Sequence, residues 1–339
     1  MAGSINSSKF DTLTLCGDIG GTNANFGLVG IKNGVPEIIF KSRDNTTSGS
    51  DFSKLLDEFL KKGRPMEFAP KVACFAVAGP VNKQGNYYRV KMTNTDLILD
   101  SKEIIEKTKL ETVLFINDFE AISYAINVID EDDIFTLNTG LPVDNGVCAV
   151  LGAGTGLGKS ILIYDARLEI YLPIPSEGGH TDLPILTQEE LHLSEFIKKH
   201  RNKTGPIYYE DVISGNGLEN LYAFLQSTKY PTEPKNLTAG QISKTKLNNP
   251  CSKETFEWFI KIFARAARNF ALDVLARGGV YLAGGITAKN FDAFDNFHDE
   301  FVNNEVYQDL LEDIPVHLIT NYDISLIGCA YALFAKGLI

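Results

Sequence analysis

Short apolar runs separated by glycine turns dominate the first part of the chain. Residues 12–16 form a β-prone run, a glycine turn covers residues 17–23, and a second apolar run covers residues 26–31. This pattern predicts strands joined by tight turns, because glycine and asparagine tolerate the backbone angles that turns require. Further strands are predicted at residues 35–40, 72–78, 87–92 and 113–116.

The same pattern recurs later in the chain. An apolar run, a glycine turn, an apolar run, a polar turn and a third apolar run follow one another at residues 12–40 and again at residues 147–172. The recurrence indicates two related α/β halves facing one another. The later strands are predicted at residues 147–151, 160–164, 168–172, 280–283 and 316–320.

Helical spacing of apolar residues accounts for much of the remainder. Residues 227–253 are rich in Thr, Lys, Asn and Pro and are predicted to form a surface excursion. The predicted helices cover residues 52–62, 121–128, 256–275 and 325–336. Strands and helices in this order predict an α/β protein, and 339 residues favour two domains.

Charge and cysteine content restrict the classes of partner. The formal net charge of −11 disfavours nucleic acid and anionic membranes, and it also repels ATP. A nucleotide would therefore be bound by backbone N–H groups, helix N-termini and a metal ion. The five cysteines include no C-x-x-C pair, so a zinc site is not expected. The polar first ten residues predict no signal peptide, and no apolar run reaches transmembrane length, so we expect a cytoplasmic protein.

The first glycine turn is a candidate phosphate loop. Gly20 and Gly21 allow close approach of a ligand, and Thr22 and Asn23 add polar groups. Asp18 could orient a magnesium ion through water. A plain β-hairpin turn explains the same residues equally well.

The second glycine turn, at residues 152–158, has glycine at every second position. Lys159 and Ser160 follow it, which nearly completes a Walker A motif, but Ala153 stands where the first glycine is needed. The β-prone residues that follow favour a strand–turn–strand phosphate loop over a P-loop that opens a helix. A P-loop nucleotide hydrolase built on Lys159 remains the rival, and a plain hairpin is the simplest alternative.

Polar side chains at the ends of predicted elements supply the remaining chemistry. Asn117 and Asp118 follow a strand, where Asp118 could accept a proton from a hydroxyl, although helix capping explains them too. Glu177 and His180 flank two glycines and could hydrogen-bond a sugar, or they belong to a polar surface loop. Glu210, near a helix start, is another candidate, although a glutamate there is also explained by the helix dipole. Gly284 and Gly285 follow a strand and could admit an adenine or ribose, or they could let a helix N-terminus pack tightly.

As an ordered set, these motifs strongly resemble the bacterial-type glucokinase family. The resemblance covers the chain from about residue 12 to its end, through residues 17–23, 116–119, 152–158, 176–180 and 283–286. It implies the two-domain actin-like ATPase (ribonuclease H-like) fold of hexokinases, with an interdomain cleft. The implied domains are residues 1–124, residues 125–322, and a C-terminal helix at 323–339 that returns to the first domain.

The resemblance also implies a role for each position. Asp118 is implied as the catalytic base, and Asp18 as the residue near Mg²⁺. The implied sugar-binding residues are Asn94, Asn117, Asp118, Glu177, His180 and Glu210, with Gly79, Pro80 and Thr93 lining the cleft. The implied ATP-binding residues are Gly17, Asp18, Ile19, Gly20, Gly21, Thr22, Gly154, Thr155, Gly156 and Gly285.

Two positions depart from the family pattern. Leu97 belongs to a stretch in which the family usually carries tryptophan, and Asn25 stands where arginine is common. The expected function is ATP-dependent phosphorylation of a hexose, glucose first, and a homodimer is common in this family. The alternative is a hexose-binding sensor or regulatory protein with weak kinase activity.

Overall fold

The computed structural model describes residues 9–20, 23–45, 52–63, 70–79, 81–92 and 97–339. They form a mixed α/β protein that divides into two compact units. The first unit comprises Met1–Ile129, Asp165–Pro173 and Asp323–Ile339, and the second comprises Asp130–Tyr164 and Ile174–Tyr322. The short segment Asp165–Pro173, which the sequence analysis assigned to the larger domain, packs within the first unit.

Fourteen strands and eleven α-helices are described. The strands are β1 (Thr12–Ile19), β2 (Asn23–Lys32), β3 (Val35–Asn45), β4 (Val72–Val77), β5 (Val81–Gln84), β6 (Tyr87–Lys91), β7 (Ile98–Asp100), β8 (Thr112–Asn117), β9 (Ile134–Asn138), β10 (Cys148–Ala153), β11 (Leu157–Asp165), β12 (Ile170–Ser176), β13 (Gly279–Ala283) and β14 (Val316–Ile319). The helices are α1 (Phe52–Gly63), α2 (Ser101–Lys107), α3 (Asp118–Ala125), α4 (Gln188–His200), α5 (Gly215–Thr228), α6 (Ala239–Thr245), α7 (Pro250–Val274), α8 (Gly285–Lys289), α9 (Phe297–Val302), α10 (Gln308–Glu312) and α11 (Ile324–Ala335). Among them, no helix is both long and apolar enough to cross a membrane.

The main sheet of the first unit has the strand order β3-β2-β1-β4-β8. Strands β1, β4 and β8 are parallel, and their register aligns Ile19 with Val77 and Val77 with Asn117. All three strands therefore end at the same level of one sheet edge. The carboxyl ends of parallel strands are where ligands bind in open α/β sheets.

Helices cover both faces of this sheet. Phe26, Phe59 and Phe75 pack on the face that carries α1 and α2. Cys16 and Cys74 pack on the other face, against α11. Burial on both faces explains why these strands read as continuous apolar runs.

The second unit repeats this plan. Its strands belong to a six-stranded sheet of order β12-β11-β10-β13-β14-β9, in which the first residues of β12, up to Pro173, are assigned to the first unit. Strand β10 lies between its antiparallel hairpin partner β11 and the parallel strand β13, as β1 lies between β2 and β4. The recurrence of the hydrophobic pattern is thus matched by a recurrence of strand order.

Helix α7 is the central helix of the second unit. Asn249 caps it through Ser252 N, Pro250 occupies its first turn, and Phe259 and Phe263 are fully buried along it. The helix therefore begins six residues before the predicted start at 256. The predicted surface excursion at 227–253 is wrong in part, because it contains α6 and the fully buried Ile242.

Candidate active site

The β1–β2 hairpin forms one side of the candidate ligand-binding edge in the first unit. Its turn closes through a hydrogen bond from Gly20 N to Asn23 O at 2.8 Å. A β-carbon on Gly17 would lie 2.6 Å from Cδ1 of Phe75, so packing requires glycine there. Gly20 lacks a positive φ, and a β-carbon there would make only ordinary contact at 3.4 Å. Packing against the described residues alone does not require glycine at position 20.

Asp18 lies at the end of β1 in a polar setting. Its carboxylate accepts hydrogen bonds from the side chains of Ser325 and Asn25. Burial raises its pKa, the bond from Ser325 and the charge of Arg43 lower it, and Asp323 raises it. Arg43 is paired with Asn25 in the sheet, so a positive charge stands near Asp18 although position 25 is asparagine.

Asn117 and Asp118 lie at the end of β8. Oδ1 of Asn117 accepts hydrogen bonds from Phe119 N at 2.9 Å and Glu120 N at 3.4 Å, so Asn117 caps α3. The capping interpretation is therefore confirmed for Asn117. Asp118 begins α3, is half-buried, and accepts a hydrogen bond from Phe119 N at 3.0 Å.

The register of the first sheet brings Asp118 and the glycine turn to one edge. Gly20 and Asp118 each lie one residue beyond the aligned pair Ile19 and Asn117, two strands apart. Two strand spacings correspond to roughly 10 Å. Gly79 follows β4 between them with φ of 151°, which only glycine adopts readily.

Some predicted site residues cannot be placed. The predicted phosphate-loop residues Gly21 and Thr22 and the predicted cleft residues Pro80, Thr93 and Asn94 lie outside the described residues. Leu97 is described, and it packs partly buried against the core of the first unit.

The second glycine hairpin joins β10 to β11. Gly154 N donates to Gly156 O at 2.9 Å, and Gly154 O accepts from Gly215 N at the start of α5 at 2.9 Å. A β-carbon on Gly154 would meet no atom within 4 Å. Open space at Gly154 leaves room for a ligand beside the hairpin backbone.

The structure contradicts the P-loop rival. Lys159 and Ser160 lie within β11 rather than at a helix N-terminus. Ser160 is fully buried, and its hydroxyl donates to Ile174 O at 3.1 Å. Since a Walker A motif requires both side chains at a phosphate site, the near-match at residues 153–160 is coincidental.

Three predicted sugar-binding residues form one cluster in the second unit. Oε2 of Glu210 accepts from Leu157 N at 2.9 Å, directly after the glycine hairpin. Oε1 of Glu210 lies 3.6 Å from Nε2 of His180, and Nδ1 of His180 lies 3.9 Å from Oε2 of Glu177. The Glu177 side chain is 93% exposed, so the cluster remains accessible to a ligand. Among the described residues, no group of three or more His, Cys, Asp or Glu could hold a metal ion.

Glycines fix the loop that carries this cluster. Residues Gly178–His180 form a 3-10 turn. A β-carbon on Gly179 would lie 1.9 Å from Leu157 O, so only glycine lets the turn pack on the hairpin. Gly156 lets the Glu210 carboxylate approach the hairpin, because a β-carbon there would lie 2.5 Å from Oε2 of Glu210 and would displace it.

The paired glycines after β13 lie beside the same hairpin. The register pairs Gly152 with Ala283, so Gly284 follows at the level of Ala153. Gly284 has φ of 99°, and a β-carbon there would lie 2.4 Å from Ala153 O. Gly285 begins α8, and a β-carbon there would lie 3.2 Å from the ring of Tyr322.

Sequence reasoning missed the partners that complete these groups. Ser325 and Arg43, which act on Asp18, lie far from it along the chain. Tyr209 was not singled out, and Lys159 was considered only as part of the near Walker A motif, although both pack near the cluster of Glu177, His180 and Glu210. No local motif marks such residues, because only strand register and helix packing bring them to the site.

Comparison with solved structures defines the class of protein. The chain resembles a crystal structure of glucokinase from an Antarctic psychrotroph, with 28% identity, a TM-score of 0.76, and 95% of this chain and 98% of that chain covered. It also shares its fold with a glucokinase from Balamuthia mandrillaris in complex with glucose, with 23% identity, a TM-score of 0.80, and coverage of 94% and 93%. The chain therefore has the mixed α/β fold of sugar kinases.

Sequence comparison gives the family. The glucokinase family model matches residues 15–336. A glucokinase from Trichormus variabilis is 33% identical over 344 residues, covering 94% of this chain and 98% of that protein. The chain belongs to the glucokinase family, which confirms the resemblance deduced from its motifs.

Proposed function

We propose that this protein transfers the γ-phosphoryl group of ATP to the 6-hydroxyl of D-glucose, giving glucose 6-phosphate and ADP. The observation that carries the proposal is the cluster of Glu177, His180 and Glu210 anchored to the second glycine hairpin. Carboxylates and an imidazole at this spacing can pair with neighbouring hydroxyl groups. Membership of the glucokinase family supports glucose as the hexose.

Asn117 and Asp118 supply the acceptor side of the reaction. Asn117 uses Oδ1 to cap α3, which fixes the side chain so that its Nδ2 can donate to a sugar oxygen. Asp118 accepts the proton of the attacking 6-hydroxyl as general base. Phosphoryl transfer depends mainly on positioning and charge neutralisation, so one well-placed base is enough.

The two glycine hairpins hold the donor. Their backbone N–H groups bind phosphate oxygens without lysine, which suits a chain of net charge −11. The open space at Gly154 supports this role, because no residue that the structure describes fills it.

Magnesium is the implied metal, and the residues present fit it. Asp18 offers a carboxylate at the β1 hairpin, and the charge of Asp323 acts on it. Oxygen ligands, often through water, are what Mg²⁺ prefers. When bound with ATP, the ion neutralises charge on the phosphates.

The proposed sugar and nucleotide residues come from both units. We therefore propose that the substrates bind in an interdomain cleft, and that sugar binding closes it and excludes water. Closure would protect ATP from hydrolysis in place of transfer to the sugar.

A coupled assay for ADP release with glucose and several other hexoses tests the function. Glucose-dependent ADP release with glucose 6-phosphate as product is the expected result. Glucose binding without ADP release would overturn the proposal in favour of the sensor alternative. ADP release independent of any sugar would overturn it in favour of a hydrolase.

A further inference from the structure

Lys159 is a buried cation packed against the proposed sugar-binding loop. It lies in β11 and is 5% exposed. A β-carbon added to Gly178 would lie 2.8 Å from its Cδ, so the lysine stem fills the space under that loop. Buried lysines are rare unless they are paired with an opposite charge, so the burial of Lys159 requires a physical reason.

Aromatic rings, rather than a carboxylate, surround the ammonium group. Nζ of Lys159 lies 5.1 Å from the ring centroids of both Tyr209 and Phe270. In the part of the chain that the structure describes, Asp273 is the carboxylate that acts on its charge, and no ion pair joins them. A desolvated cation between two aromatic faces is held more strongly than an exposed one.

Lys159 thereby connects the two segments that carry the sugar cluster. Its stem contacts the turn that contains His180, and its ammonium contacts Tyr209, the neighbour of Glu210. Tyr209 is itself fixed, because its hydroxyl accepts a hydrogen bond from Nδ2 of Asn269 at 2.9 Å.

We infer that Lys159 is a positioning residue that sets the spacing of Glu177, His180 and Glu210 by clamping their two loops together. This inference rests on the proposed function of those residues in binding glucose. Lys159 does not touch the sugar; loss of its charge would release the ring contacts and let the loops shift. A small misplacement of binding groups is costly, because hydroxyl hydrogen bonds depend on geometry.

The charge of Lys159 changes within an accessible pH range. Burial lowers its pKa to about 8, partly offset by Asp273 on α7. The other titratable group against it is Tyr209, whose pKa is raised by burial and lowered by Arg265 and Arg268. Tyr209 therefore stays neutral while Lys159 loses its proton between pH 7 and pH 9, so the clamp weakens as pH rises.

Calorimetric titration of glucose at pH 7 and pH 9 tests the inference on the wild type, Lys159→Met and Lys159→Arg. We expect wild-type affinity to fall from pH 7 to pH 9. The Met variant should bind roughly tenfold more weakly at pH 7, with little further change at pH 9. The Arg variant, which keeps its charge, should bind equally at both pH values.

Controls separate this role from general packing. Lys246→Met removes another lysine that lies over an aromatic ring in the same unit, and it should leave glucose affinity unchanged. At saturating glucose, the Met variant should keep its kcat within about threefold, because Lys159 contacts no reacting atom.

Two results would overturn the inference while the proposed function stands. One is wild-type glucose affinity that is equal at pH 7 and pH 9, which needs no variant to fold. The other is a folded Met variant that binds as the wild type does. Absence of glucose binding by the wild type at both pH values would instead overturn the proposed function itself.

Discussion

Two aspartates lie near one edge of the first sheet, and their different surroundings suit them to different chemical roles. Asp18 is held by the side chains of Ser325 and Asn25, and burial raises its pKa. Asp118 begins a helix and accepts a hydrogen bond from the next backbone N–H. A carboxylate fixed by its neighbours suits the cation role proposed for Asp18, and one at a helix start suits the proton transfer proposed for Asp118.

Replacement of Asp118 by Asn tests the base. The variant keeps size and polarity but cannot accept the proton, so kcat should fall by about 10²–10⁴ while the glucose Kd changes little. Steady-state kinetics and calorimetry measure both. Glu120→Gln, two residues away, removes a carboxylate that pairs with Lys336 and should leave kcat unchanged. Near-normal turnover by Asp118→Asn would remove Asp118 from its role.

Replacement of Asp18 by Asn should separate stability from function. Because burial raises the pKa of Asp18, its ionised form is disfavoured in the folded protein. That penalty grows as the pH rises above the ordinary pKa of an aspartate, and it is absent in the Asn variant, so the variant should gain free energy of unfolding relative to the wild type as pH rises. Loss of the carboxylate that is proposed to orient Mg²⁺ should lower kcat/KM for ATP by roughly 10²-fold.

Urea unfolding and kinetics with varied ATP measure these two effects. Asp44→Asn is a matched control in the same sheet, since Asp44 pairs with Lys62 and should affect neither quantity strongly. Unchanged kinetics for Asp18→Asn would show that this carboxylate does not serve the metal.

At the scale of elements, the glycines of the second unit serve two purposes. Gly179 is required by packing, because a β-carbon would lie 1.9 Å from Leu157 O. Gly154 is not, because its surroundings are open. Gly179 keeps two segments in contact, and Gly154 leaves a space that no described residue fills.

Alanine substitution should distinguish these purposes. Gly179→Ala should lower the free energy of unfolding by at least about 1–3 kcal/mol, as overpacking does. Gly154→Ala should change it by less than about 0.5 kcal/mol, yet raise KM for ATP, because the methyl group enters the proposed phosphate space. Thermal unfolding measures the change in stability of each variant, and steady-state kinetics measures the change in KM for ATP. A Gly154→Ala variant with wild-type KM would remove that hairpin from the donor site.

The sequence predicts elements well where burial dictates the residue pattern. Strands β1, β4, β8 and β10 were predicted because their buried faces demand apolar residues. Strand β5, of sequence VNKQ, was missed because it is mostly exposed, and its pairing with β6 rather than burial defines it. The motif residues were found because each motif is local in the sequence. Partners such as Ser325 were missed because only the fold brings them to the site.

At the scale of the whole molecule, the proposed sugar residues are shared between the units. Asn117 and Asp118 belong to the first unit, and Glu177, His180 and Glu210 belong to the second. A ligand that contacts both units should stabilise both against opening. The cysteines can report this, because all five are buried and none of them forms a disulfide. Cys16, Cys74 and Cys329 belong to the first unit, and Cys148 and Cys251 belong to the second.

Thiol labelling with peptide-resolved mass spectrometry tests whether glucose binds both units. A ligand at 100 times its Kd stabilises the folded state by about 2.7 kcal/mol, which slows labelling through the open state by roughly 100-fold. We expect glucose to slow labelling of Cys74 and Cys329 as well as Cys251. Sorbitol at the same concentration controls for non-specific stabilisation by a polyol.

The pattern of protection separates a shared site from a confined one. If the hydroxyl groups of glucose were held by Glu177, His180 and Glu210 alone, only the cysteines of the second unit would be protected. Labelling of Cys74 and Cys329 would then proceed at its unliganded rate, and Asp118 could not deprotonate a sugar that its unit never contacts. Protection of both sets is the expected result if Asn117 and Asp118 act on the same bound glucose as the Glu177 cluster, which the proposed phosphoryl transfer demands.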